Sequence, residues 1–204
     1  MEYIFLIAIL IFSVVIHEVS HGAAANYLGD PTAKYAGRLT LNPIKHLDPI
    51  GSVLVPMFLV LIGSQFLIGW AKPVPVNPFN FRDQKYGSAK VALAGPGSNL
   101  AVALIFGLAL RFFPEIAVTP ALVLIFSYIV FINILLAIFN LLPLPPLDGS
   151  HILFTFLPPG FERLKVFLGQ FGIFILIFFI FLLFPYLLMV IRLIFYLIVG
   201  VPLS

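Results

Sequence analysis

The sequence predicts an all-α polytopic membrane protein with about five transmembrane helices, one re-entrant membrane segment and a short β-hairpin. Of the 204 residues, 62% are hydrophobic and only 9% are charged. The mean hydropathy is +1.16, and the apolar residues are grouped in long runs. A soluble domain carries about 25% charged residues, so the chain is expected to form a single membrane-embedded domain, residues 1–204.

The charged residues and the cysteine content exclude other classes of protein. The chain has 11 Lys and Arg against 8 Asp and Glu, which is too few positive charges for a nucleic-acid-binding face. It contains no cysteine, so a disulfide-stabilised secreted module is excluded as well. The expected partners are the lipid bilayer and other membrane proteins, with no nucleic acid.

The apolar runs define the expected helices, because a transmembrane helix needs about 20 mostly apolar residues. The first run covers residues 3–16 and continues in helical composition to about residue 28. The others cover residues 51–70, 89–113, 121–142 and 166–203. Because the last run is too long for one crossing and has Pro185 near its middle, two helices that meet at this proline are expected.

The segments between the runs predict smaller elements. A loose alternation of side chains that ends at Asn42-Pro43 predicts a β-hairpin at residues 35–42. The prolines within residues 71–88 exclude a helix there until about Asp83.

A cleavable signal peptide is an alternative interpretation of the first run. A signal peptide begins with positive charge, whereas this chain has Glu2 and no Lys or Arg before the apolar residues. The run also leads into a metal-binding pattern of its own. A membrane helix is therefore the favoured interpretation.

That pattern is His17-Glu18-Val19-Ser20-His21. Residues i and i+4 share one face of an α-helix, so both imidazoles are expected to face a single metal ion. Glu18 is then placed to act as general base toward a water at the metal. Ionisable groups within an apolar run are costly and usually functional, which disfavours the alternative of a helix end that emerges among the lipid headgroups.

A third metal ligand is expected, because a catalytic zinc has three protein ligands and an open position for water. The candidates are the remaining histidines and the acids outside the first helix: His46, His151, Asp30, Asp48, Asp83, Glu115, Asp148 and Glu162. Asp148 is favoured because the three prolines shortly before it impose an extended backbone, and the glycine after it permits a sharp turn. The alternative role for Asp148 is the N-cap of a helix that begins near Ser150.

Asn140 is a second unusual residue, an amide at the end of an apolar helix. It is a candidate donor of a hydrogen bond to a scissile carbonyl oxygen as negative charge develops there. An interhelical hydrogen bond is the alternative role.

Three motifs, HEVSH at residues 17–21, AGPGSN at residues 94–99 and NLLPLPPLDG at residues 140–149, together resemble the site-2 protease family of intramembrane zinc metalloproteases. The resemblance spans residues 17–149. It implies one Zn²⁺ ion bound by His17, His21 and Asp148, with Glu18 as the catalytic base and Asn140 assisting at the oxyanion.

The resemblance also implies an activity and a type of substrate. The protein is expected to hydrolyse peptide bonds within or near transmembrane segments of membrane-protein substrates, by means of a zinc-activated water. The chain resembles a compact form of the family without an inserted PDZ or CBS domain. It departs from the family's usual Asn-Pro-x-Asp-Gly motif, because Pro145 stands in the place of the asparagine.

The positions of the ligands and of the basic residues predict a topology. His17 and His21 lie toward the end of the first run and Asp148 lies just past the end of the fourth, so these two ends must be on the same side of the membrane. This requires one middle run to enter and leave by one face, and residues 51–70, interrupted by Pro56 and Gly63-Ser64, are the candidate. All the basic residues near the run ends except Arg111 then lie on one side, which the positive-inside rule identifies as cytoplasmic.

In that arrangement the protein is a multi-pass cell-membrane protein with its N-terminus outside and its active site toward the cytoplasmic face. Two other classes of function remain open. One is a transporter or channel that passes metal ions or protons, although residues 166–203 have no second polar cluster beyond Arg192. The other is an inactive membrane chaperone with a structural metal, although such a site has no need of the base Glu18.

Overall fold

The computed structural model describes residues 2–63, 70–113 and 119–202. The described helices are α1 Glu2–Tyr27, α2 Thr32–Tyr35, α3 Val55–Leu61, α4 Gly87–Phe112, α5 Pro120–Asn140, α6 Asp148–Phe156 and α7 Glu162–Val199. Short 3₁₀ turns at Pro43–His46 and Pro78–Asn80 and a π-helical turn at Pro49–Leu54 lie between them. The all-α class is confirmed.

Four of the described helices, α1, α4, α5 and α7, are long and apolar enough to cross a membrane. The expected pair of helices that meet at Pro185 is wrong, because α7 continues through this proline for 38 residues. A proline removes one helical N–H, and the rest of an apolar helix is retained in a low-dielectric medium because unpaired backbone groups are costly there. The described residues therefore contain four candidate spans instead of five.

The core lies where α4, α5 and α7 meet. Its largest fully buried side chains are Ile134 of α5 and Ile191 and Phe195 of α7. Helix α4 approaches this layer through small residues, since Ala103 is buried in the core and a Cβ on Gly107 would overlap the side chain of Ile198. Small residues of this kind let membrane helices pack closely.

The expected hairpin at residues 35–42 is not formed. The chain instead makes the short helix α2 and then turns at Gly37, which has a positive φ of 63°. Helix α2 starts at Thr32, where the Asp30 carboxylate accepts hydrogen bonds from the backbone N–H and the hydroxyl of this threonine. Within the described residues, strand-like pairing is limited to one antiparallel bridge between Leu47 and Ala71.

The connection between α1 and α4 begins at the end of α1 and returns to it before α4 starts. The N–H of Arg82 donates to the carbonyl of Leu28, just past the end of α1, at 2.8 Å. Farther along, the N–H of Trp70 donates to the Gly51 carbonyl at 3.2 Å, and the Ser52 hydroxyl donates to the Trp70 carbonyl at 2.7 Å. The two ends of the run at 51–70 are thus adjacent, while residues 64–69, with Ser64 of the expected interruption, lie outside the described residues.

Candidate metal centre

The first part of the site is one face of α1. His17 and His21 are one helical turn apart and both are buried, with 3.0 Å between their Nε2 atoms. Their side chains point toward α4 because Gly95 of that helix leaves the space, and a Cβ there would overlap both rings. The i, i+4 spacing therefore brings both Nε2 atoms to one point, as the sequence pattern predicts.

The second part is Asp148, the first residue of α6. Helix α5 ends at Asn140, and the proline-rich turn that follows leads the chain back to the face of α1. Asp148 Oδ2 lies 3.1 Å from Nε2 of His17 and 3.1 Å from Nε2 of His21. Gly149 is required beside it, because a Cβ there would overlap the backbone carbonyls of Leu141 and Leu142.

Helix α4 supplies a hydrogen-bond acceptor to Nδ1 of each imidazole. His17 Nδ1 is 2.6 Å from the side-chain oxygen of Asn99, and His21 Nδ1 is 2.7 Å from the backbone carbonyl of Val91. Since both partners are oxygen acceptors, each Nδ1 carries a proton, and in the neutral ring each Nε2 then presents a lone pair. Hydrogen bonds of this kind orient the metal-binding histidines of known sites.

The three convergent atoms fit a cation. Two imidazole lone pairs and a carboxylate oxygen meet at hydrogen-bond distance, and such a group of acceptors is stable only with positive charge between them. Two histidines and one carboxylate are a ligand set used by catalytic zinc. Among the described residues, His17, His21 and Asp148 form a group able to hold a metal ion, with ligand atoms all within 4.8 Å of one another.

Glu18 lies beside this group, and both belong to the wall of one cavity of about 410 Å³. Its Oε2 accepts a hydrogen bond of 2.8 Å from the backbone N–H of Val74. Asn140 also lines the cavity, and its side-chain NH₂ donates to the Leu136 carbonyl, one turn back in α5, at 2.9 Å. The carboxylate of Glu18 is thus held by one oxygen, and the second Asn140 hydrogen is free of that helical contact.

A proline-rich segment, defined here as residues 71–81, forms part of the wall of the cavity. Its residues Pro73, Val74 and Val76 line the cavity directly. The buried side chain of Arg38 donates to the Lys72 carbonyl at 2.6 Å and holds the start of the segment. The segment therefore sets both the width of the cavity and the orientation of Glu18.

Asp30 holds the other end of the proline-rich segment. Its buried carboxylate accepts hydrogen bonds from the backbone N–H of Asn77 at 2.7 Å and from the side-chain NH₂ of Asn80 at 2.8 Å. Burial acts to raise the pKa of the Asp30 carboxyl, but these hydrogen bonds and those from Thr32 outweigh burial and lower the pKa.

The other candidate ligands lie elsewhere. His151 lines the cavity without joining the ligand group, and His46 is buried with its Nε2 2.8 Å from the Thr40 carbonyl. The remaining described acids have partners of their own: Asp30 as above, Asp48 at the N–H groups of Ile50 and Gly51, Asp83 at Lys90, and Glu162 at Lys165. Glu115 lies outside the described residues.

Three polar residues near the site were not singled out from the sequence: Ser13, Asn99 and Asn133. Both asparagines are fully buried. The signal that would have found them is an amide inside an otherwise apolar helix, because such a group is costly in a membrane and needs a partner.

Comparison with known proteins gives one family. The sequence profile described as Peptidase family M50 matches residues 113–182. "Putative zinc metalloprotease YwhC" of Bacillus subtilis is 44% identical over 162 residues, which cover 76% of this chain and 70% of the relative. "Putative zinc metalloprotease Rip2" of Mycolicibacterium smegmatis is 32% identical over 179 residues, covering 86% of this chain and 66% of the relative.

"Putative zinc metalloprotease Rip2" of Mycobacterium tuberculosis strain H37Rv is 33% identical over 181 residues, covering 87% of this chain and 67% of the relative. The chain thus spans about two thirds of the length of these relatives. No solved structure matches it at the level of significance that these relatives reach.

Proposed function

This chain belongs to peptidase family M50, the site-2 protease family, and is a multi-pass membrane zinc metalloprotease; on that premise we propose that it hydrolyses peptide bonds within or near transmembrane segments of membrane-protein substrates. The observation that carries the proposal is the convergence of His17, His21 and Asp148 next to Glu18 in one cavity. Membrane-protein substrates are supported by the position of these residues, since His17 and His21 lie within one candidate membrane helix and Asp148 lies shortly after another.

His17, His21 and Asp148 are proposed to hold the zinc through the two Nε2 atoms and Oδ2. When bound, zinc supplies Lewis acidity that makes water a competent nucleophile near neutral pH. The Nδ1 contacts with Asn99 and Val91 support this assignment, because in the neutral imidazoles they place the proton on Nδ1 and leave the lone pair on Nε2.

Glu18 is proposed as the general base and then the general acid. With Oε2 held by the Val74 N–H, Oε1 is the oxygen without a hydrogen bond from the described residues, and it accepts a proton from the attacking water as the new C–O bond forms. The same carboxyl then donates this proton to the amide nitrogen as the C–N bond breaks. A single positioned carboxyl of this kind typically contributes about 10²- to 10⁴-fold to the rate.

Asn140 is proposed to stabilise the oxyanion of the tetrahedral intermediate. One hydrogen of its side-chain NH₂ is used by the Leu136 carbonyl, and the other is available to a substrate oxygen in the cavity. Because Asn140 lines the cavity that contains Glu18 and Asp148, a bound peptide group would lie between these side chains.

The substrate is proposed to enter in an extended form. A transmembrane helix hides its peptide groups in internal hydrogen bonds, so a span must unwind locally before attack. The proline-rich segment has no N–H at Pro73, Pro75 and Pro78, and its residues 72–77 form no helix, so they offer a non-helical wall along which an unwound segment would lie.

Residues 51–70 are proposed to be re-entrant, so that the N-terminus lies outside the cell membrane and the active site lies toward the cytoplasmic face. The hydrogen bond between Arg82 and Leu28 supports this topology, because it brings the start of α4 back to the end of α1. The excess of basic residues on that side supports the cytoplasmic assignment.

The experiment that tests the function compares the detergent-purified chain with Glu18→Gln, Asp148→Ala and the control Glu162→Gln. Glu162 is an exposed acid in the first turn of α7, away from the cavity. Zinc content and cleavage of a single-span membrane substrate are measured. We expect the parent and the control to bind one zinc and cleave, Glu18→Gln to bind zinc without cleaving, and Asp148→Ala to lose both.

Two results would contradict the proposal. Cleavage that persists in Glu18→Gln would remove the general base from the mechanism. Zinc flux into liposomes that is equal in the parent and in Glu18→Gln, with no cleavage by either, would indicate a transporter in place of a protease.

A further inference from the structure

A buried amide network lies behind the metal centre, on the side away from the cavity. It consists of Ser13 of α1, Asn99 of α4 and Asn133 of α5. Asn99 and Asn133 are 0% exposed, and Ser13 is 4% exposed. Polar groups placed at this depth among apolar helices are unfavourable unless they are hydrogen-bonded. Each of the three side chains therefore needs hydrogen-bond partners on the neighbouring helices.

The contacts of the network form a chain that ends at His17. Asn133 Nδ2 donates to the Ile129 carbonyl at 2.9 Å and to the Ser13 hydroxyl at 2.9 Å. Asn99 Nδ2 donates to Asn133 Oδ1 at 2.8 Å and to the Ser13 backbone carbonyl at 3.1 Å. Asn99 Oδ1 is then the atom that lies 2.6 Å from His17 Nδ1.

The direction of each hydrogen bond in this chain is fixed by two backbone carbonyls. The carbonyls of Ile129 and Ser13 only accept, so the NH₂ group of each asparagine must face them. This leaves the oxygen of Asn133 toward Asn99 and the oxygen of Asn99 toward His17. His17 Nδ1 must therefore be the donor, and in the neutral imidazole its Nε2 then presents the lone pair on the side of Asp148.

The two histidines differ in the group that accepts the hydrogen bond from Nδ1. His21 Nδ1 donates to the backbone carbonyl of Val91. A backbone carbonyl can only accept, so this contact fixes the tautomer of His21 without further support. His17 Nδ1 faces a side-chain amide, which presents a donor instead of an acceptor if it turns over. The contacts with Ser13 and Asn133 prevent that rotation.

We propose that Asn99 and Asn133 are positioning residues that fix His17 in the tautomer and orientation that bind the metal. The inference rests on the proposed role of His17 as a metal ligand. Asn99 acts on His17 directly, and Asn133 acts by fixing the side-chain amide of Asn99.

The test measures zinc affinity by chelator competition and thermal unfolding of the metal-free protein, both on the full chain in detergent. Asn99→Leu removes the acceptor at similar volume, and we expect zinc affinity to fall about 10- to 100-fold. Asn99→Asp keeps an acceptor beside His17 Nδ1, as in carboxylate–histidine–zinc arrangements, but leaves the Ser13 carbonyl without its donor. We expect it to lose thermal stability while binding zinc at least tenfold more tightly than Asn99→Leu.

Ile134→Ala is the matched control, because Ile134 is fully buried next to Asn133 in α5 but belongs to the apolar core. It should lower thermal stability with zinc affinity unchanged. The absorption spectrum of the cobalt-substituted protein gives a second readout, and it should change in Asn99→Leu and not in Ile134→Ala.

Unchanged zinc affinity in a folded Asn99→Leu, or affinity that falls in proportion to thermal stability in all variants including the control, would overturn the positioning role. If Asn99→Leu does not fold, Asn133→Leu takes its place, and parent-like affinity there would overturn the proposal equally. His17→Ala separates the two levels of inference: affinity unaffected by His17→Ala overturns the ligand assignment itself, whereas loss in His17→Ala alone overturns only the network.

Discussion

Gly95 determines how closely α4 approaches the two histidines of α1. A Cβ at this position would overlap the rings of both His17 and His21, whereas nothing lies within 4 Å of a Cβ built at Gly97, two residues later in the same helix. The two glycines of AGPGSN therefore have different roles, which the motif alone does not distinguish.

Gly95→Ala is expected to weaken zinc binding at least about tenfold, because displaced imidazoles no longer converge on Asp148. Gly97→Ala is the matched control, and since alanine favours a helix by about 1 kcal/mol over glycine, it should retain zinc and unfold at the same or a higher temperature. Chelator competition and thermal unfolding of both variants measure this. Equal zinc affinity in the two variants would contradict the close approach at Gly95.

Val74 acts on Glu18 through its backbone and not through its side chain. The Val74 N–H is the donor that holds Oε2 of the proposed base at 2.8 Å. Val74→Pro removes this donor while keeping the extended backbone of the proline-rich segment.

We expect Val74→Pro to lower kcat about tenfold with little change in KM, since a hydrogen bond to a charged group is worth about 1.5–3 kcal/mol. Val74→Ala keeps the N–H and removes most of the side chain, so it serves as the control and should retain most of kcat. Steady-state cleavage kinetics of both variants decide the matter. A larger loss of kcat in Val74→Ala than in Val74→Pro would show that packing of the Val74 side chain, and not its N–H, positions Glu18.

At the scale of elements, the proline-rich segment is held near its two ends by residues of the connection that follows α1. Arg38 holds its start through the Lys72 carbonyl, and Asp30 holds its end through Asn77 and Asn80. Neither Arg38 nor Asp30 lines the cavity. The position of the segment beside Glu18 therefore depends on residues outside the cavity.

Asp30→Ala is expected to destabilise the protein by about 1–3 kcal/mol at pH 7, because buried donors lose their acceptor. The folded protein lowers the pKa of Asp30 below its ordinary value of 3.8, so the native state binds fewer protons and stability falls as pH decreases. The stabilisation is complete above about pH 5 and is lost as pH falls through the folded pKa. Thermal unfolding of parent and variant between pH 7 and pH 3 should show their difference shrinking at the acid end.

The matched control is Glu162→Ala, which removes an exposed acid whose contact is a surface ion pair with Lys165. Such pairs contribute about 0–1 kcal/mol. A difference between parent and Asp30→Ala that stays constant from pH 7 to pH 3 would mean that the hydrogen bonds to the carboxylate do not stabilise the fold.

At the scale of the whole molecule, helices α4 and α7 run in the same direction, opposite to α1. The end of α4 lies beside the end of α7, where Arg111 donates to the Leu197 carbonyl at 2.7 Å. The start of α4 lies beside the second half of α1, where Val91 meets His21. Helices α4 and α7 thus run from the end of the molecule that carries the metal centre to the opposite end.

The proposed topology predicts which side of the membrane each end faces. Because the chain has no cysteine, single cysteines introduced by Tyr3→Cys, Phe79→Cys and Thr119→Cys report one position each. A membrane-impermeant maleimide should label the first and third from outside intact cells and the second only in inverted vesicles. If residues 51–70 crossed the membrane fully, Tyr3→Cys and Phe79→Cys would be labelled from the same side, and the re-entrant topology would be wrong.

The sequence by itself determined the membrane class, and it predicted the proposed ligands and the proposed base, because these inferences depend on composition and on local spacing. His17 and His21 share a helix face whatever surrounds that helix. The apolar runs at 89–113 and 121–142 also identified α4 and α5 to within a few residues, since helix length in a bilayer is set by its thickness.

Only the tertiary structure decided what lies around those residues. Pro185 was expected to divide the last run, but α7 continues through it, because the cost of one missing hydrogen bond is smaller than that of exposing more backbone in an apolar medium. The hairpin at 35–42 was replaced by α2, because the Asp30 carboxylate accepts hydrogen bonds from Thr32 at the start of α2 and from Asn80, which is 50 residues away in the sequence. The network at Asn99 and the N–H of Val74 could not be predicted either, since such contacts join residues far apart in the sequence and depend on how the helices pack.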